Sequence, residues 1–389
     1  MLGDNTAALE SALSLPAETL REKISSAYLY GAEATLGSVL GGRCRAVVGA
    51  LPNADTDGAP ATLALLNPHG LIAGLLAVKR ACGAPEALLV LPREDGFAPL
   101  LQAAAQADIP VEARDFLDVR AHKDDLLLHW ATLAAVSDIL AGNPPEIPAA
   151  VGGKLVEIAP GKAIGSILPA ENLKAVRIGS TFYTPAVLGE PARPGLFATG
   201  SAIEPVSNDA CIVQAAFEQV MKLRQKCCGK CVLCREGLFQ FGEIFRGVTE
   251  AKSALSELAL AGEIGAALID AAVCSVGKAA SSCMLSVLEG FGEELKSHIQ
   301  GKKCPSGRCQ AFARYYVNPM KCRGCGVCIE ACPENCIEGA PGYISMIDDA
   351  ACTKCGKCAE VCPEGAIART QNRIPNLPRR LTKVGRFRR

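Results

Sequence analysis

Two cysteine runs near the C-terminus carry the strongest chemical signal in the chain. The first is Cys322-Arg-Gly-Cys325-Gly-Val-Cys328-Ile-Glu-Ala-Cys332-Pro333, and it recurs twenty residues on as Cys352-Thr-Lys-Cys355-Gly-Lys-Cys358-Ala-Glu-Val-Cys362-Pro363. Each is C-x2-C-x2-C-x3-C-P, the spacing of a two-cluster bacterial ferredoxin. Three thiolates two residues apart wrap a tight loop around three irons of a cubane, and the fourth, beyond a short helical turn, reaches the other cluster. The spacing therefore assigns Cys322, Cys325, Cys328 and Cys362 to one [4Fe–4S] cluster. Cys352, Cys355, Cys358 and Cys332 take the second. Zinc knuckles or a disulfide framework are the competing readings, but zinc sites use two CxxC pairs across a longer gap rather than triplets closed by Cys-Pro.

A third group lies upstream, Cys227-Cys228-Gly-Lys-Cys231-Val-Leu-Cys234, with Cys274 forty residues after Cys234. A CxxCxxC triplet with a remote fourth cysteine suits a cubane held by a loop and a helix end. The spacing alone also admits zinc or a cap on a helical bundle. The linker holds His298, Cys304 and Cys309. One imidazole and two thiols this close supply three of the four ligands of a structural zinc. Cys283 is a poor fourth if residues 284–298 form one helix, because fifteen helical residues rise about 22 Å. Cys336 and Cys227 stand as alternatives, and two reduced thiols beside a surface histidine is the competing view.

The 389 residues suffice for two or three domains, and at 49% hydrophobic content they can bury sizeable cores. Lys+Arg and Asp+Glu balance at 40 each, so no global charge argues for nucleic acid. Most of the twenty cysteines follow position 226 in ligand-like groups, and no signal-peptide pattern opens the chain. Both facts point to a reducing cytoplasm and metal ligation. No uninterrupted apolar run is long enough for a transmembrane helix. The basic tail, Arg379, Arg380, Lys383, Arg386, Arg388 and Arg389, is either a solvated end or a docking segment for an acidic partner.

The elements that must hold these cysteines follow in chain order. Leu9, Leu13, Leu20, Ile24 and Tyr28 recur at helical spacing, predicting an amphipathic helix within residues 1–40. Strands at 45–51, 87–92 and near Val111 alternate with helices over 68–82 and 97–107, an α/β pattern. Short strand-like pieces at 153–158, 163–168 and 173–178, with one helix, suggest a β-grasp-like module. Helix resumes near Ala210. The expected division is an α/β domain at 1–148, the β-grasp-like module at 149–209, a helical cluster bundle at 210–300, a linker at 301–318, an α+β ferredoxin domain at 319–370 and a basic tail at 371–389. Cys44, Cys82 and Cys211 are expected to be small core residues. His69 and His129 are expected to be structural.

The run Cys228-Gly-Lys-Cys231-x-x-Cys234-Arg-Glu-Gly237, followed by Cys274-x-x-Gly277, resembles the cluster motif of the NADH-oxidising flavoprotein subunit of complex I. It is still more similar to the matching subunit of electron-bifurcating hydrogenases, where a two-cluster ferredoxin domain follows. Ala198–Val213, Asn67–Gly74, Ala87–Glu94 and His129–Ser137 resemble further family segments. The likeness is specific from about residue 198 onward. It implies a soluble-ligand-binding type of β-grasp domain before the bundle. It also implies a third [4Fe–4S] cluster on Cys228, Cys231, Cys234 and Cys274. The Cys304-Pro-Ser-Gly-Arg-Cys309 linker resembles the Cys-Pro-x-Gly-x-Cys linker of the bifurcating-hydrogenase subunits.

The departures from the family lie at the flavin. Its Gly-rich phosphate loop has only Leu36–Arg43 as a counterpart, its acidic loop appears as Asn53–Pro60 without glutamates, and a third motif is missing between Arg114 and Asp125. A degenerate, shortened domain without FMN or NADH is expected. The function expected is an electron-relay subunit with three [4Fe–4S] clusters and no substrate site of its own. Its partners would be a flavin or NAD(P)H subunit, a [2Fe–2S] subunit, a hydrogenase or formate dehydrogenase-like catalytic subunit, and soluble ferredoxin. Lys230, Arg235, Lys354 and Lys357 would raise cluster potentials. The rival readings are an FMN-containing NAD(P)H dehydrogenase with a divergent pocket and an assembly scaffold with structural clusters.

Overall fold

The structure is a computed structural model that describes residues 13–55, 58–93, 96–168 and 171–387. The described residues form two compact units. One comprises Met1–Asn208, Ala215–Glu243 and Ser256–Gly292, and the other Asp209–Gln214, Ile244–Leu255 and Glu293–Arg389.

The first unit opens with a parallel sheet. β1 (Ala46–Ala50), β2 (Glu86–Pro92), β3 (Val111–Arg114) and β4 (Leu126–His129) lie in the order β3-β2-β1-β4. β1 is buried along its whole length, as a central strand covered on both faces must be. The connections run through α2 (Ala59–Leu66), α3 (Pro68–Cys82) and α4 (Ala98–Gln106), and α5 (Trp130–Leu140) follows β4. Helix α3 spans the residues expected. Asn67 caps it by accepting from the Gly70 amide, Pro68 begins it, and Gly83 ends it in the left-handed region. Leu71, Leu75, Leu89, Leu100, Trp130 and Leu133 fill the core beneath the sheet.

Among the described residues the helix expected over this stretch is interrupted: Leu13 is helical, and α1 then covers Ala17–Ile24, between Pro16 and a turn at Ser25. Beyond it the Tyr28 hydroxyl donates to the Glu146 carbonyl and the Tyr30 hydroxyl to the Pro148 carbonyl. Those tertiary bonds need an extended chain, and Tyr28 accordingly bridges Thr35. Leu9 lies outside the described residues.

A second sheet holds β5 (Ile147–Val151), β6 (Lys154–Ile158), β7 (Leu173–Ile178), β8 (Thr181–Tyr183) and β9 (Ala202–Ser207) in the order β6-β5-β9-β7-β8. β5 and β9 are parallel and the other neighbours antiparallel. The expected strand at 163–168 is instead a 3-10 turn over Ile164–Ser166. The Ile164 amide bonds the Glu190 carbonyl, and the turn tucks Ile164 and Leu168 into the core. Strand β5 begins ahead of the boundary expected at 148/149. Four helices continue the chain: α6 (Ile212–Gln225), α7 (Val232–Thr249), α8 (Leu255–Ala271) and α9 (Ser275–Gly290).

The second unit contains α10 (Gly292–Ile299) and a duplicated fold. β10 (Arg314–Val317) pairs antiparallel with β13 (Ile367–Thr370), enclosing α11 (Val327–Glu330), the pair β11 (Ile337–Glu338) and β12 (Met346–Ile347), and α12 (Lys357–Glu360). The halves match in backbone as well as in sequence. Gly324 and Lys354, at equivalent positions, have φ of 70° and 63°, and Asn335 and Gly365 have 51° and 54°. Val317, Ile337, Ile344 and Ile367 pack between the halves. The described part of the basic tail is not a detached end. The Ile344 amide donates to the Thr382 carbonyl, the Val384 amide to the Gly342 carbonyl, and Phe387 packs against the same core.

Gly324 and Gly326 share a left-handed φ but differ in surroundings. A Cβ on Gly324 would lie 2.8 Å from backbone atoms of Gly342 and Tyr343, whereas one on Gly326 meets nothing within 4 Å. Gly326→Ala should cost only the left-handed strain, about 1–2 kcal/mol, and Gly324→Ala about 1–3 kcal/mol more from overpacking. Denaturant unfolding of the anaerobically prepared chain checks this. Equal losses would contradict the close approach.

Candidate metal centres

The ferredoxin-type cysteines gather in two cavities. Cys322, Cys325, Cys328 and Cys362 line one, with Val317, Ser345 and Ile367. Cys332, Cys352, Cys355 and Cys358 line the other, with Tyr315, Ile337 and Ile347. Burial repeats across the halves: Cys328 and Cys358 are buried, Cys325 and Cys355 exposed, and the other four intermediate. Backbone amides face the sulfurs, as a bound anionic cluster requires. The Lys354 amide donates to Cys352 Sγ at 3.4 Å and the Ala366 amide to Cys362 Sγ at 3.3 Å. The Val327 amide holds the Cys325 thiol below its usual range, whereas burial pushes Cys358 up to about 11. Cys336 also lines the second cavity, 3.4 Å from Cys332 Sγ, and burial pushes it up to about 12.

The upstream group converges in the first unit. Cys234 sits in the first turn of α7, and Cys274 is the N-cap residue of α9. The amides of Val276 and Gly277 pull the Cys274 thiol down, but burial outweighs them and it stays raised. Gly277 is where α9 meets Cys234, because a Cβ there would lie 3.4 Å from Cys234 Sγ and 2.7 Å from the Ala272 methyl. Burial, then Cys227 at 4.0 Å, raises the Cys234 thiol. The exposed Cys228 and the intermediate Cys231 complete the loop. Lys230 Nζ lies 4.1 Å above the Phe116 ring, tying that loop to the end of β3.

Two of the cations expected to raise potentials are compensated. Arg235 pairs with Glu236 and donates to the Gly229 carbonyl. Lys354 pairs with Asp349, which also takes Arg314.

The linker residues join a compact buried group. Cys211, His298, Cys304 and Cys309 place their ligand atoms within 4.8 Å of one another. Cys211 Sγ is 3.4 Å from His298 Nε2 and 3.5 Å from Cys309 Sγ, and Cys309 Sγ is 3.5 Å from His298 Nε2. Zn–S bonds of about 2.3 Å and Zn–N bonds of about 2.0 Å in a tetrahedron give edges of about 3.5 Å. His298 Nδ1 lies 2.7 Å from the Glu294 carbonyl, which can only accept, so Nδ1 carries the proton and Nε2 faces the sulfurs. The side chain of Gln371 brackets the site, accepting from the Cys304 amide and donating to the Cys309 carbonyl. Burial would lower His298, but hydrogen bonds to Cys211 and Cys304 hold it up at about 10. Bonds from Cys211 and Cys309 pull the Cys304 thiol far down, while the same contacts push Cys309 up. One shared proton set among crowded donors is the pattern that a divalent cation resolves.

This corrects the expectation that Cys211 is only a core residue. It lies 87 residues before His298, with no spacing partner nearby, so only the fold reveals it. His298 is buried rather than at the surface. Cys283 instead points its thiol at the Ala216 carbonyl. His129 caps α5 and stacks 4.4 Å from Tyr30, and burial lowers it to about 3.

A further cavity opens where β1, β2 and β3 end, lined by Pro52, Asn53, Asp55, Pro92, Asp115 and Phe116, together with residues 225–228. Ligands of parallel sheets bind at such an edge. Of its charged lining residues, Asp55 accepts from the Ser201 hydroxyl, Asp115 pairs with Arg93 and Lys226 adds a cation, while the Asn53 side chain is spent bonding both backbone groups of Leu117. Leu36 and Leu40, from the segment aligned with the family's phosphate loop, are buried in the core.

Comparison with known proteins agrees with the cysteine pattern. Residues 215–298 match the NADH-ubiquinone oxidoreductase-F iron-sulfur binding region, and residues 321–366 match the 4Fe-4S dicluster domain. The NADP-reducing hydrogenase subunit HndC of Solidesulfovibrio fructosivorans is 33% identical over 134 residues, 34% of this chain and 27% of that one. The F-type subunit of NADH-quinone oxidoreductase from Streptomyces coelicolor is 28% identical over 183 residues, 45% of this chain and 40% of that one. The chain thus spans well under half the length of these curated relatives. An NAD+-reducing [NiFe]-hydrogenase in the H2-reduced state shares the fold, with a TM-score of 0.63 at 18% identity over 77% of this chain and 66% of that chain. Among the described residues no single helix is long and apolar enough to cross a membrane.

Proposed function

We propose that the chain is an electron-relay subunit of a multi-subunit oxidoreductase and carries three [4Fe–4S] clusters. The observation that carries this is the crossed lining of the two cavities, each with three cysteines from one repeat and the fourth from the other. In this reading Cys322, Cys325, Cys328 and Cys362 hold one cluster, and Cys352, Cys355, Cys358 and Cys332 the second. Cys228, Cys231, Cys234 and Cys274 hold the third. When bound, cubanes pass single electrons and, with four protein ligands each, leave no iron open to a substrate. The protein's part is to exclude water with Val317, Ile337 and Ile367, and to direct amides at sulfur.

Residues 147–207 act as a β-grasp-like module, on the strength of a central parallel pair flanked by hairpins. In this reading the edge of the four-stranded sheet holds no flavin, because Leu36 and Leu40 are buried in the core and Asn53 is tied to Leu117. Electrons therefore enter from another chain. The names of the relatives favour a flavin or NAD(P)H subunit and a hydrogenase-like catalytic subunit among the partners, with a [2Fe–2S] subunit, a formate dehydrogenase-like subunit or soluble ferredoxin as further candidates. Cys211, His298, Cys304 and Cys309 hold a structural zinc. One observation favours an FMN-bearing dehydrogenase instead: the open cavity beside Phe116 and Cys228.

Anaerobically purified chain should contain about twelve irons, with one zinc and no released flavin. One flavin per chain would make the dehydrogenase reading the right one, and near eight irons would remove the Cys228 site. Cys274→Ser should lower iron while leaving the EPR signals of the two dicluster centres in place, and Cys362→Ser should spare the signal of the Cys228 site. Cys211→Ser should weaken zinc binding by more than about 100-fold, beyond the effect of changing an outer partner such as Gln371. Zinc-chelator competition reads this, and unchanged affinity would exclude Cys211 as a ligand.

A further inference from the structure

The described part of the C-terminal tail is a strap laid on residues 342–344, a segment that in turn bonds the loop carrying Cys322 and Cys325. The Gly342 amide donates to the Gly324 carbonyl at 2.9 Å, between those two cysteines. The strap bonds that 342–344 segment: the Val384 amide reaches the Gly342 carbonyl at 3.0 Å, and the Ile344 amide reaches the Thr382 carbonyl at 2.9 Å. Lys383 also lies 6.0 Å over the Tyr343 ring.

Its charge is opposite to that of the fold it lies on. Residues 319–370 carry seven Asp and Glu against five Lys and Arg, whereas residues 371–389 carry seven Lys and Arg and no acid. Arg379, Arg380, Lys383 and Arg386 are exposed, and among the described residues none of them forms an ion pair. Between them Leu381 and Val384 leave 45% and 36% of their surface open. A small apolar centre within a charged rim is the anatomy of a protein docking surface. An acidic partner would be repelled by the dicluster body alone, and the strap reverses the local field.

We propose that this strap is the docking site of an acidic electron-carrier protein, seated beside the Cys322 loop. The proposal rests on the relay reading only in the choice of a redox partner. A lipid surface would also answer to the cations. What favours the carrier is that the strap is fixed to the segment bonded to the Cys322 loop, where a partner with its own redox centre gains from being held.

The probe is a plant-type [2Fe–2S] ferredoxin, an acidic protein, titrated calorimetrically into the iron-loaded full chain at low and high salt. Kd should weaken about tenfold or more with salt, and by a similar factor in the variant R379E/R380E/K383E/R386E. The charge-keeping variant R379K/R380K/R386K should bind as the parent does. The strap is held by backbone bonds, so iron content should not change in either variant. If the reversed variant misfolds, single Lys383→Glu and the parent's salt dependence still decide. Binding that ignores both salt and charge reversal would overturn the proposal. So would loss of binding to phosphatidylcholine–phosphatidylglycerol vesicles with ferredoxin binding intact, which would assign the strap to a membrane. Failure of dithionite to reduce any cluster would sink the relay reading while leaving this binding result standing.

Discussion

Crowded sulfur is unfavourable without a shared cation. Burial alone raises a thiol, and a second thiolate nearby raises it further, so crowded buried cysteines resist ionisation unless hydrogen-bond donors or positive charge face them. Much of the described architecture answers that constraint. Amides of Lys354 and Ala366 point at sulfur in the dicluster region, and those of Val276 and Gly277 act on Cys274. At the fourth site the contest shows most clearly, with Cys304 pulled down and Cys309 pushed up by each other and by Cys211. The Cys211 group lies within 4.8 Å, close enough to share a single ion, while the ferredoxin-type cysteines line two separate cavities.

Where the chemistry is local, the sequence was a sufficient guide. C-x2-C-x2-C-x3-C-P names its own partners because only a crossed arrangement lets Cys332 and Cys362 reach a cubane. Helix α3 was legible to the residue because Asn67, Pro68 and Gly83 mark its ends. Long-range competition is what the sequence concealed. The hydroxyls of Tyr28 and Tyr30 hold extended chain where periodicity suggested helix. Ile164 is drawn into a 3-10 turn by the Glu190 carbonyl. Cys211 looked like packing because its three companions lie 87 residues or more away.

The parallel sheet asks less of the sequence than a ligand site does. Its strand order and buried β1 need only apolar side chains. A phosphate site needs a backbone left free to approach the ligand. Here Leu36 and Leu40 have gone into the core, and Asn53 is tied to Leu117.

The crossed cavities also bear on how such a domain can be built or divided. Residues 322–332 cannot close a cavity from their own half, because Cys362 stands in it, and residues 352–362 depend likewise on Cys332. The two halves are interlocked, so neither is a folding unit that can be loaded separately. A single half could complete its cavity only by clasping a second copy of itself across a two-fold axis, each lending the other its last cysteine. Equal backbone angles at Gly324 and Lys354, and at Asn335 and Gly365, are what such a fused pair would retain.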